Sequence, residues 1–182
     1  MMNCPQCKGY TLEPTEIEPG LVAGSCSKCK GSLLSLMNYR FWVDRWVDRQ
    51  ASVEKTTESM PVAEDNQKAL ACPKCTRLMT KFKVGSQTTH RIDLCTGCDE
   101  AWLDNGEWSL LKQLDLHDKL PKIFTDAWQR NIRIKRQQDF IDDKYQALLG
   151  QEDFERLSSF KKWLDEQPHK EDIKQYLINK PG

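Results

Sequence analysis

No apolar run in this 182-residue chain approaches the roughly 18 residues of a membrane-crossing helix. The first residues reach Cys4 without the charged-then-apolar pattern of a secretory signal, so a cytoplasmic setting is expected and a membrane role is not. Net charge is missing too. Its 27 basic and 27 acidic side chains cancel, leaving no global field to draw in a polyanion. Hydrophobic residues are 38% against 30% charged, which suits small, thinly cored units better than one large apolar interior. Histidine is scarce: His90, His117 and His169 stand isolated, and none is assigned a ligand role.

A leftover cysteine is also lacking. Cys4, Cys7, Cys26, Cys29, Cys72, Cys75, Cys95 and Cys98 all fall into Cys-x-x-Cys pairs, and the pairs form two brackets. Eighteen residues separate the inner cysteines of the first bracket and nineteen those of the second, inside the spacing of a four-cysteine zinc site. A Cys-x-x-Cys turn aims two sulfurs at one point. About twenty residues then suffice for a hairpin that returns the second turn opposite the first, closing a tetrahedron with Zn–S near about 2.3 Å. Disulfides need an oxidising compartment, to which nothing here points. A thioredoxin-like dithiol is expected beside a βαβ pattern and not as two matched brackets. Iron–sulfur ligation stays open on count alone, although ferredoxin spacings differ from these. The expectation is two zinc ions per chain, one per bracket, which brings the loaded chain to a formal charge of about −4.

The brackets repeat one another. CPQCKGYTL from Cys4 matches CPKCTRLMT from Cys72, and CSKCKGSLLS from Cys26 falls beside CTGCDEAWLD from Cys95. Polar fillers, Thr15 to Gly24 and Lys81 to Leu94, predict a small antiparallel hairpin in each. In the second, Val84 to Gln87 reads as strand end and turn, with Thr88 to Leu94 returning.

The second bracket and its tail, CPKC then CTGCDEAWLDNGEW, resemble the bacterial family of transcription-factor-type zinc fingers, similar to the zinc ribbon of general transcription factor IIB. Cys72, Pro73, Cys75, Cys95, Cys98, Trp102, Leu103, Asp104, Gly106 and Glu107 stand at that family's motif positions, and Asp99-Glu100 replaces its usual pair of glycines. The first bracket keeps Cys4, Pro5, Cys7, Cys26, Cys29 and Gly31 but has Leu33-Leu34-Ser35 in place of Trp-Leu-Asp, and reads as a degenerate copy. The resemblance covers about half the chain. It implies a zinc-ribbon fold and a role near transcription or nucleic acid; a shared fold does not itself establish function.

Trp102 and Leu103 are expected to cover the metal knuckle with apolar surface. Asp104 and Glu107 have the spacing of a helix start, with an acidic N-cap and a Glu reaching back, ahead of Leu110, Leu111 and Leu114. These acids read as structural, because no nucleophile or open-site histidine accompanies them.

Residues 50–70 are polar, net acidic and contain Pro61, the pattern of a flexible linker, so the two ribbons are expected to behave as separate beads. The aromatic segment Asn38 to Arg49 offers Tyr39, Phe41, Trp42 and Trp46 among Arg40, Arg45 and Arg49. Such residues can stack on bases, but Trp42 and Trp46 also sit four apart on a helix, and packing is the preferred reading. Past Pro121, Phe124, Trp128, Ile134, Ile141, Tyr145 and Leu148 predict one long helix or two broken ones, stopping at Gly150. Phe154, Leu157, Phe160 and Leu164 predict another, and Glu171 to Ile178 a last. A hairpin of these is expected to bury Trp163 and Tyr176 against the long helix.

The expected class is therefore a small zinc-stabilised α+β fold: two zinc-ribbon β-hairpin modules followed by a helical C-terminal region. Its segments are residues 1–49, the first ribbon with its aromatic tail; 50–70, the linker; 71–120, the second ribbon with a capping helix; and 121–182, helices. Sites closed by four thiolates disfavour an enzyme and a small-molecule substrate. Two partners stay open, nucleic acid and protein. The resemblance favours a binding protein of nucleic acid or the transcription machinery, with Lys74, Arg77, Lys81, Lys83, Arg130, Arg133, Lys135 and Arg136 as the dense basic residues. Zero net charge favours a protein-binding adaptor, the alternative.

Overall fold

The structure, a computed structural model, describes residues 2–46 and 66–179. Most of the segment read as a linker, residues 50–65, lies outside the described residues, as do Val47 to Arg49 and the side chain of Trp46. The first strand, β1 (Leu12–Glu18), turns through Pro19-Gly20 into β2 (Leu21–Cys26). Proline presets φ for the first turn position, and Gly20, at φ 81°, takes the left-handed second one; its N–H is held at 2.6 Å by the Glu16 carboxylate. Then come β3 (Ser32–Ser35) and helix α1 (Leu36–Trp46). The second repeat supplies β4 (Thr80–Lys83), β5 (Arg91–Cys95) and β6 (Glu100–Leu103), followed by α2 (Glu107–Gln113) and the short α3 (Leu120–Ile123). The returning strand begins at Arg91 rather than Thr88. Val84 N–H to His90 C=O, 3.1 Å, closes the hairpin, and the residues between form the turn.

All six strands make one antiparallel sheet, in the order β1-β2-β3-β6-β5-β4. This corrects the expectation of two separate beads. Each ribbon alone would leave its third strand as an open edge of unpaired backbone groups; here β3 and β6 satisfy one another. Their register pairs Ser32 with Leu103, Leu33 with Trp102, Leu34 with Ala101 and Ser35 with Glu100. In the repeat Leu33 and Trp102 are equivalent positions, so the two ribbons meet about a local two-fold at that pair.

Side chains alternate across a sheet, and both faces of this one are buried at its centre. On one face lie Leu21, Ala23, Leu34, Ile92, Leu94, Ala101 and Leu103, covered by Tyr39 and Trp42 of α1, Leu111 of α2 and Leu120 and Ile123 of α3. On the other are the cysteines with Leu12, Leu33, Leu70, Met79 and Trp102. The expected linker therefore ends before Leu70, which is core, and whose carbonyl accepts from Met79 N–H at 2.8 Å. Tyr39, Trp42 and Trp108 form a cluster of tilted and edge-on rings with centroids 5.9 to 6.5 Å apart. Tyr39 Oη donates to His117 C=O and accepts from Leu120 N–H, while Trp42 Nε1 donates to Pro19 C=O. Burial first, opposed in part by the Leu120 amide, pushes the Tyr39 hydroxyl up to about 12. For Tyr39 and Trp42, packing is the outcome; Phe41 is exposed.

The chain divides into two compact units, Met1–Arg133 and Ile134–Gly182. The long helix α4 (Asp126–Leu149) begins in the first, where Trp128 Nε1 donates to Val84 C=O and Gln129 bonds the Lys83 backbone in both directions. It runs unbroken to Gly150, which ends it at φ 80°. The second unit continues with α5 (Gln151–Asp165) and α6 (Lys170–Ile178). The expected burial of Trp163 and Tyr176 does not occur: Leu164 faces inward instead, and Trp163, about 100° further round the helix, is half-exposed against Phe160. Tyr176 is 81% exposed. No helix among the described residues is long and apolar enough to cross a membrane.

Candidate metal centres

Each Cys-x-x-Cys pair sits on a tight turn whose backbone closes on itself. Thr76 N–H donates to Cys72 C=O and Cys72 N–H to Arg77 C=O, both at 2.8 Å, and Lys30 N–H and Asp99 N–H return to Cys26 and Cys95 carbonyls at 3.0 and 2.9 Å. Such turns require a left-handed residue, and Lys30 (φ 58°), Thr76 (φ 61°) and Asp99 (φ 58°) supply it. With Asp99 in that position the knuckle is formed. Aspartate is among the side chains that tolerate this region, and Asp99 Oδ2 also pairs with Arg40 Nη1 at 2.6 Å.

The turns bring eight thiols into two groups of four: Cys4, Cys7, Cys26 and Cys29, and Cys72, Cys75, Cys95 and Cys98. Within each group all sulfurs lie within 4.8 Å of one another. Cys4 and Cys29 sulfurs are 3.6 Å apart, Cys75 and Cys95 sulfurs 3.5 Å. A disulfide holds its sulfurs at about 2.05 Å, whereas a tetrahedron with Zn–S of about 2.3 Å separates them by about 3.8 Å. The donor set fits a metal, and both tetra-cysteine groups can hold one. In each, one cysteine of every pair is buried and the other half-buried.

Backbone amides aim at the sulfurs. Cys7 N–H reaches Cys4 Sγ at 3.3 Å. Burial pushes the Cys4, Cys29 and Cys72 thiols up, and contact with Cys75, then burial, pushes Cys98 up to about 12. Two thiols move the other way. At Cys75 the Arg77 amide leads in bringing it down to about 7; at Cys26 burial acts upward but is outweighed by the Cys29 and Lys28 amides, again to about 7. The thiolate is the form that binds metal, so filling either site releases protons.

No family model, curated protein or solved structure matches this chain. What the sites can do is therefore read from their surroundings. Trp102 is fully buried among the cysteines, as expected of a residue covering the knuckles, but Leu103 points to the opposite face because neighbours on a strand alternate. Asp104 is not a side-chain cap. Helix α2 starts after Gly106 with no side-chain capping bond. Half of the expected arrangement survives: Glu107 Oε2 accepts from Asp104 N–H at 2.8 Å. The Asp104 carboxylate is engaged elsewhere, accepting from Trp102 Nε1 at 2.8 Å, from Asn66 N–H at 2.7 Å and from Gln6 Nε2. Sequence spacing pointed to Glu107, and the motif to Gly31, but both missed Gln6 and Asn66, which reach Asp104 from 98 and 38 residues away.

The basic residues are dispersed. Lys74 bonds Glu100, which holds it above its ordinary value, and Lys81 bonds the buried Asp93 at 2.7 Å. Lys83 is half-buried, and its backbone is taken by Gln129. Arg77 is exposed on the second knuckle and Arg130 and Arg133 on α4. In the second unit Lys135 pairs with Asp139 at 3.5 Å and Arg136 is half-buried.

Proposed function

We propose that the chain is a non-catalytic double zinc-ribbon protein whose two zinc ions are structural and whose partner is a protein. Four soft thiolates in a tetrahedral arrangement select zinc or iron–sulfur, and the bracket spacing favours zinc. Closed four-ligand sites leave no position for substrate water, which supports a binding role over a catalytic one. The observation that carries the protein-binding reading is the placement of Lys74 and Lys81. Two of the four basic residues between Lys74 and Lys83 are held by Glu100 and Asp93, so a phosphate would have to displace a partly buried ion pair. The helices of Ile134–Gly182 meanwhile present Phe140, Leu148, Tyr176 and Ile178 to solvent, as interaction surfaces commonly do.

Nucleic-acid or transcription-linked binding is the second reading, favoured by the motif resemblance and by exposed Arg77, Arg130 and Arg133. The two are separated by anisotropy titrations with single-stranded and duplex DNA and RNA. A handful of phosphate contacts gives a log–log salt slope of about −0.9 per contact on duplex DNA, so binding at 50 mM salt that vanishes by 200 mM supports the second reading. No binding at either salt, together with a partner captured from native extract despite nuclease and lost with Phe140→Ser, supports the first.

A further inference from the structure

The residues that link the two ribbons are the immediate neighbours of metal ligands. Gln6 lies between Cys4 and Cys7, and its amide donates to Asp104; the same carboxylate holds Trp102 Nε1 and the Asn66 N–H that starts the approach to Cys72. Gly31 follows Cys29 by two positions, and a Cβ there would overlap the Trp102 ring, so the first knuckle and that indole fit only as they stand. Leu36 N–H reaches across to Asp99 C=O, beside Cys98, at 2.9 Å. Cys4, Cys26, Cys72 and Cys95 all border one apolar cluster centred on Leu33 and Trp102.

A metal ion fixes its knuckle, and each knuckle here fixes groups that complete the other. From this juxtaposition we propose that the two metal sites fill cooperatively: an ion at Cys4, Cys7, Cys26 and Cys29 raises affinity at Cys72, Cys75, Cys95 and Cys98, and the reverse by the same factor, as linkage requires. The inference rests on the zinc reading of both sites. Its physical basis is shared ordering. The first ion bears the conformational cost of seating Trp102, Asp104 and the β3–β6 pair, and the second binds to a sheet already formed. In cellular terms the protein would be loaded or empty, with little of the half-loaded form.

Native mass spectrometry of the full chain during zinc titration against a competing chelator counts the empty, one-zinc and two-zinc species directly. Equal independent sites put about half the molecules in the one-zinc form at half-saturation, and a tenfold coupling lowers that to about a quarter. The expected result is a one-zinc fraction at or below a quarter. Gln6→Ala and Gly31→Ala keep all eight thiols, and each is expected to raise the one-zinc fraction toward half. A one-zinc fraction of half or more in the unmodified chain overturns the coupling while leaving the metal reading intact. Failure to bind zinc at all overturns the metal reading itself. Depletion that persists unchanged in both variants overturns the assignment to the Asp104 and Trp102 contacts.

Discussion

The two units of this chain reach order by different routes. Among the described residues, every buried apolar side chain except Leu164 belongs to Met1–Arg133, while most of the exposed large ones, from Ile134 to Ile178, belong to the other unit. The first has a sheet buried on both faces and two four-thiol groups; the second has helices whose pattern is local and whose apolar stripes are largely uncovered. A short-stranded sheet carrying two four-thiol groups needs long-range closure to exist at all. Helices of 15 and 24 residues draw more on their own hydrogen bonds, though helices of this length gain most of their stability from packing.

The sharpest way to break that contrast is Cys95→Ser. Metal binding in small ribbons is folding free energy, about 10 to 16 kcal/mol in zinc-finger peptides, so one lost thiolate exceeds the margin of so small a core. Because β3 and β6 pair, hydrogen exchange should show protection lost in both ribbons, not only the second, while α5 keeps its helical signal. Protection surviving in β1 and β2 would restore the picture of independent beads. Trp102→Ala comes next, with an expected cost of about 3 to 5 kcal/mol in chemical denaturation, since the indole fills the space between the knuckles. Leu164→Ala, the corresponding core deletion in the helical unit, should cost about 2 kcal/mol, the low end for a leucine, because few buried neighbours surround it.

Acidity offers a graded version of the same test. Asp93 is held above its ordinary value by burial, against the opposing pull of Lys81. An acid whose folded pKa is raised makes the folded state bind the extra proton, so its contribution to stability falls as pH rises from its unfolded value of 3.8 through the raised one. Asp93→Asn should flatten that part of the pH–stability curve, measured by urea melts, with no matching change in the helical unit. The smallest effect is expected at Tyr176. Tyr176→Ala should leave stability within about 0.5 kcal/mol while weakening capture of a protein partner.

The two four-cysteine groups were legible from spacing alone, because a Cys-x-x-Cys turn and a hairpin are local objects. So were the helices, including the stop at Gly150, from periodicity and a single glycine. What spacing did not reveal was the joining of the ribbons. Leu33 looked like decay of the motif; in the sheet it stands opposite Trp102, its own equivalent in the other copy. A Cβ at position 31 would lie 2.3 Å from the Trp102 ring, so the glycine there is what lets the indole sit in the middle. Asp104 was misread for a related reason: its sequence neighbours suggest a cap, but its carboxylate serves Gln6 and Asn66, which only the folded sheet brings near.

Pairing β3 with β6 also moves the free margins of the sheet to β1 and β4. Neither is a good template for another chain to copy. Pro14 has no N–H to offer, and the register shift between Glu16 and Glu18 bends the end of β1 out of line. At the opposite margin β4 is only four residues long and carries Lys81 and Lys83. A protein with so much apolar surface on its helices would be at risk of runaway strand stacking if its sheet also invited growth. By placing the buried strands β3 and β6 against each other, and leaving proline, a register shift and lysines outside, the duplicated ribbon resists aggregation where a single one would be exposed to it.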